Sequence, residues 1–187
     1  MALVFLSACL VLPWLGGRSE TLLKTTLLHW QGWGKVIVLI SLVIVVPYVA
    51  FLVIIKGYLG AMLLHPNLIQ GLYFLAKKAL LLAPLALAEE FFFRGYLQES
   101  VFFSLWGERR FGPLSFKNLL AAALFALAHG VSYLSLVGFL TVFGGLILGW
   151  IVERSGRSIW PAVALHGISN IAIAWFSLLI SMNLPGK

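Results

Sequence analysis

The sequence contains no aspartate. Its six acids are all glutamates: Glu20, Glu89, Glu90, Glu99, Glu108 and Glu153. Only 10% of the 187 residues are charged, whereas a soluble domain carries roughly 25%. Polar groups are too few to cover a globular surface. The single cysteine, Cys9, excludes an internal disulfide and any cysteine-based metal site. Cys9 closes the run LSAC, which resembles a lipoprotein cleavage box. No positive residue precedes it and the apolar run ahead of it is very short, so an uncleaved first span is expected. No soluble basic domain is present to concentrate the net charge of +7. Nucleic acid is therefore not expected as a partner, and the basic excess is expected in loops facing anionic lipid.

What the chain has instead is apolar length. It is 61% hydrophobic with a mean hydropathy of +1.03. A bilayer core is crossed by roughly 20 apolar residues in a helix. On that measure the expected fold is all-α, a polytopic membrane helix bundle of about six transmembrane helices. The expected spans cover 2–15, 36–55, a third beginning between 72 and 79 and ending near 105, then 118–131, 134–152 and 159–181. Residues 1–187 read as one membrane domain, with N-terminal spans over 1–70 and a catalytic core over 72–181. Segment 17–35, with Trp30 and Trp33, suits an interfacial helix. The small residues of LTVFGGLILG, 140–149, allow close packing on a neighbouring helix. With both termini outside, the inner loops hold Arg18, Lys24, Lys35, Arg109, Arg110, Lys117, Arg154 and Arg157, against Lys56, Lys77, Lys78 and Lys187 outside.

Three charged residues interrupt the third span, in AEEFFFRG at 88–95. Each costs about 2.5–3.5 kcal/mol at mid-bilayer, so the cluster needs a reason. Glu90 and Arg94 are i,i+4 neighbours and can pair. Glu89 projects about 100° from Glu90 and about 140° from Arg94. The pair reads as structural support, and Glu89 as the acid facing elsewhere; a desolvated carboxylate makes a usable general base. The competing explanation is an ion cluster that packs helices. His129 ends FALAHG in the fourth span, with Phe125 one turn earlier on its face; a lone histidine there also suits packing. His166 and Asn170, in LHGISN, share a face of the sixth span. They can glue helices together or donate two hydrogen bonds to one oxyanion. His29 and His65 fall in expected loops, and Phe91, Phe92 and Phe93 supply bulk. No GxSxG elbow supports a serine nucleophile. Taken together, the polar groups of three spans suit water activation and oxyanion stabilisation, the needs of peptide-bond hydrolysis without a covalent intermediate.

These motifs have a known counterpart. EEFFFR matches EExxxR, FALAH matches FxxxH and HGISN matches HxxxN, in that order on successive hydrophobic segments. Over about 85–175 the chain resembles the CAAX-protease and bacteriocin-processing (Abi) family, which includes the Ras-converting CAAX endopeptidase of glutamic type. The resemblance implies that Glu89 and His129 hold and activate the attacking water. It implies that His166 and Asn170 stabilise the oxyanion, with Glu90 and Arg94 supporting the site and Phe125 completing its motif. It implies no cofactor and no metal. The minimal loops look like those of a prokaryotic member, including myxosortase-like ones, in the inner membrane. Implied partners are the bilayer and a membrane-associated protein or peptide, such as a C-terminal sorting helix or a lipidated tail.

Two other readings fit the same residues. Two histidines and a glutamate suffice for a catalytic zinc site, although no HExxH is present. Intramembrane acids also serve ion or proton pathways and docking surfaces.

Overall fold

The computed structural model describes residues 68–183, Ser135 apart, together with Val11. The expected spans over 2–15 and 36–55, the interfacial helix and the reading of Cys9 lie outside the described residues. Among the described residues the protein is helical apart from one small hairpin, in keeping with the all-α expectation.

Helix α1 runs Leu68–Glu90 and is rich in leucine and alanine, strong helix formers. It passes directly into a π-helical segment, Phe91–Phe102, and then a last α turn, α2, Phe103–Trp106. Strands β1, Arg110–Phe111, and β2, Leu114–Ser115, form a two-stranded antiparallel hairpin. Its turn carries Gly112 at φ 61°, a left-handed value that glycine adopts without steric cost. Helix α3 runs Phe116–Tyr133. Ser115 caps it, its side chain accepting from the Asn118 N–H at 3.1 Å. A short α4, Leu136–Phe139, precedes α5, Thr141–Arg154, and α6, Trp160–Asn183. Pro161 falls in the first turn of α6, where a backbone N–H has no intrahelical partner to lose.

Several expectations change here. The third helix begins at Leu68, not between 72 and 79, and it does not keep α geometry to 105. The fifth segment is broken at Leu140 into α4 and α5. The hairpin was expected as loop. Lys117, counted among loop cations, is instead a buried residue of α3. Among the described residues no helix is long and apolar enough to cross a membrane; α1, for one, carries Lys77, Lys78, Glu89 and Glu90.

The chain divides into two compact units, Met1–Gln31 with Leu85–Ala164, and Gly32–Pro84 with Leu165–Lys187. The first divides from the second within α1, at Pro84, and within α6. In the first unit α3 packs on α5, on the π-helical segment and on α4. Its core holds Phe93, Ala121, Ala122, Phe125, Ala126, Leu148, Ile151 and Val152. The alanines and glycines bring backbones close: a Cβ on Gly145 would lie 3.1 Å from Ala122 Cβ. In the second unit, α1 up to Pro84 and α6 from Leu165 are the described elements.

Candidate active site

At the join of α1 and the π-helical segment, Glu89, Glu90 and Arg94 are all buried. Glu90 Oε2 lies 3.2 Å from Arg94 Nε, with both side chains fully buried. The i,i+4 pairing expected from spacing is therefore present. The guanidinium also donates from Nη2 to the Gly145 carbonyl of α5 at 3.2 Å. It lies 4.5 Å over the Phe125 ring, a cation–π contact strengthened by burial. Both Glu90 and Glu89 act on it electrostatically.

Phe125 extends this chain of contacts to His129. Its ring meets Phe93 edge-on at 5.1 Å and the imidazole at 4.2 Å. His129 Nδ1 lies 2.9 Å from the Phe125 carbonyl oxygen. A carbonyl can only accept, so Nδ1 carries the proton, and in the neutral ring Nε2 is left as an acceptor. Nε2 lies 3.8 Å from Glu89 Oε2. Glu89 is buried and His129 partly exposed. A basic nitrogen and a carboxylate thus face one another beyond direct hydrogen-bond distance and within the span of one water.

The end of α3 that carries His129 is held by α4. A Cβ on Gly138 would meet the His129 carbonyl oxygen and the Gly130 Cα, each at 2.9 Å. The Phe139 ring lies against Gly130. Glycine at both positions lets α4 rest on the α3 backbone, and Leu134, left-handed at φ 47°, closes the helix.

His166 and Asn170 lie on one face of α6 in the second unit, His166 buried and Asn170 half-buried. Within the first unit the structure brings together Glu89, His129, Glu90, Arg94 and Phe125; within the second, His166 and Asn170 are i,i+4 neighbours on α6. Among the described residues no group of three or more His, Cys, Asp or Glu is disposed to hold a metal ion.

The family model described as type II CAAX prenyl endopeptidase Rce1-like matches residues 69–172, from the start of α1 to two residues past Asn170. The chain belongs to this family. The match takes in all three motifs and makes the protein, in general terms, an intramembrane protease acting on membrane-associated proteins. No curated protein and no solved structure matches the chain.

Sequence reasoning missed a second buried polar layer in this family member. Gln98 donates to the Gly149 carbonyl at 3.0 Å and to Glu99 at 3.1 Å. Asn118 donates to the Leu146 carbonyl at 3.0 Å. Glu99 is paired with Lys117 at 2.9 Å, both buried. Together with Arg94, three side-chain donors reach carbonyls at 145, 146 and 149 of α5 and fix its position. The available signal was glycine spacing: Gly145 and Gly149 leave room for Arg94 and for the two amides.

Proposed function

We propose that the protein is a glutamic intramembrane endopeptidase that works without a metal. The observation that supports this most directly is the 3.8 Å approach of Glu89 Oε2 to His129 Nε2, with Nδ1 fixed by a backbone carbonyl. One water hydrogen-bonds to both acceptors. As its oxygen attacks the scissile carbonyl carbon, its proton passes to Glu89. His166 and Asn170, in the roles the family's motifs give them, donate to the oxyanion that forms. The C–N bond then breaks, and Glu89 returns the proton to the leaving amine. The products are a new carboxyl terminus and a free amine. Glu90 and Arg94 keep Glu89 and Phe125 in place.

The setting is a multi-pass integral membrane protein of a prokaryotic plasma membrane, and the substrate is a membrane-associated tail or peptide, such as a sorting helix or a lipidated terminus. The low charge content and the exposed leucines and aromatics of α3 and α5 support that setting. The test compares native-host membranes carrying wild type with those carrying Glu89→Ala, reading protein C-termini and released peptides by mass spectrometry. A tail released only by wild type supports the assignment; cleavage by Glu89→Ala overturns it. Activity in the presence of a strong zinc chelator separates the metal-free mechanism from a zinc one.

A further inference from the structure

In the unit that holds Glu89, charged residues gather where α2, the hairpin, the start of α3 and the turn after α5 meet. Every carboxylate there is engaged. Glu99 Oε2 lies 2.9 Å from Lys117 Nζ and 3.5 Å from Arg157 Nε. Glu108 Oε1 accepts from Arg157 Nη2 at 2.7 Å. Glu153 Oε2 lies 3.4 Å from Arg110 Nη1, and its other oxygen accepts from Ser115 Oγ. Lys117, Arg157 and Arg110 thus balance the three acids.

Two cations are left over, Arg109 and Arg154. They are chain neighbours of the paired Arg110 and Glu153, so both sit at this end. Among the described residues neither has a carboxylate within ion-pair distance. Each lies over an exposed tryptophan instead, Arg109 at 5.9 Å from the Trp106 ring and Arg154 at 5.5 Å from the Trp150 ring. Leu105 and Phe111, 67% and 72% exposed, are chain neighbours of Trp106 and Arg110. Cations stacked on tryptophan beside exposed apolar groups match the chemistry of the bilayer interface, where phosphate meets acyl chain.

We propose that Arg109 and Arg154, each backed by its tryptophan, form a docking surface for the headgroups of anionic phospholipid. This rests on the membrane setting proposed above. The uncompensated charge of two arginines selects an anionic headgroup over a zwitterionic one. The exposed Leu105 and Phe111 on the Arg109 side favour a lipid over a free anion, because only a lipid brings acyl chain to cover them.

The experiment uses the full-length chain purified in neutral detergent. Phosphatidylglycerol and phosphatidylcholine of matched acyl chains compete, and bound lipid is counted by native mass spectrometry. Two arginines near a phosphate surface give a preference for phosphatidylglycerol of roughly thirtyfold. Arg109→Gln/Arg154→Gln brings it near parity, while Lys77→Gln/Lys78→Gln, which removes the same charge elsewhere, keeps it. If the double variant does not fold, the single substitutions are read, each expected to lose about fivefold. The proposal is overturned if wild type shows no preference, if the arginine variants keep it, if the lysine variant loses as much, or if inorganic phosphate displaces the lipid. Cleavage is read on the same preparations. Loss of Glu89 dependence rejects the protease reading alone, and absence of the lipid preference with cleavage intact rejects the docking surface alone.

Discussion

A carboxylate oxygen 3.8 Å from an imidazole nitrogen makes no direct hydrogen bond, yet both can hold one water. Removing either acceptor leaves that water with one partner and no base or no orienting group. Glu89→Ala and His129→Ala are each expected to abolish release of the substrate tail while the protein still accumulates in membranes, read by mass spectrometry beside immunoblotting. Asn170→Ala removes one oxyanion donor and is expected to lower kcat by about 10²–10³, measured on a peptide carrying the cleaved sequence. Glu90→Gln tests a different quantity. It leaves the fully buried Arg94 guanidinium without its paired carboxylate, with Glu89 the remaining acid acting on it, a change that costs up to about 3–5 kcal/mol. The expected result is a large drop in the thermal midpoint, not a folded, silent enzyme. At this scale the spacing of the motifs was informative, because i,i+4 neighbours meet whatever the tertiary context. Lys117 was not legible. A lysine at a helix start reads as a loop cation, and only packing places Glu99 2.9 Å away from it.

The segment Phe91–Phe102 shows what sequence leaves open at the scale of an element. An i→i+5 turn is wider than an i→i+4 turn, and no residue pattern announces it. Its effect is visible in the buried set, Phe93, Arg94, Gly95, Gln98, Glu99 and Ser100, which recurs at four and five residues. That register aims Arg94 and Gln98 together at α5. The helix ends, by contrast, follow local rules: Ser115 starts α3, and Arg154 places a cation at the favourable C-terminal end of α5. The clamp on α5 yields a sharp prediction. A methyl group on Gly149 would overlap the amide oxygens of Asn118 and Gln98. Gly149→Ala is expected to cost about 1–3 kcal/mol, seen as a lower thermal midpoint in detergent. Gly144, with nothing near its Cβ position, provides the control: Gly144→Ala is expected to leave the midpoint unchanged or raise it.

At the scale of the described first unit, a buried polar layer lies beside the apolar core and large apolar side chains face outward. Glu90, Arg94, Gln98, Glu99, Lys117 and Asn118 are inside, while Leu124, Leu127, Val131, Phe143, Ile147 and Trp150 face outward. Composition made this legible from the start, since a chain with 10% charge has too few polar groups to cover itself. The lack of a helix long and apolar enough to cross a membrane, among the described residues, was not, and in α1 two of the four charges, Glu89 and Glu90, belong to the candidate site. Outward positions discriminate between solvents. In water, an arginine on an exposed helix face changes stability by no more than about 0.5 kcal/mol. In a bilayer it costs about 2.5–3.5 kcal/mol near the midplane. Leu127 is 51% exposed and lies in the body of α3, so Leu127→Arg is expected to deplete the protein retained in membranes after an alkaline carbonate wash, whereas Leu127→Phe leaves it intact. Equal retention of wild type and Leu127→Arg would mean that water, and not lipid, covers this face, and the membrane setting would then have to be abandoned for α3.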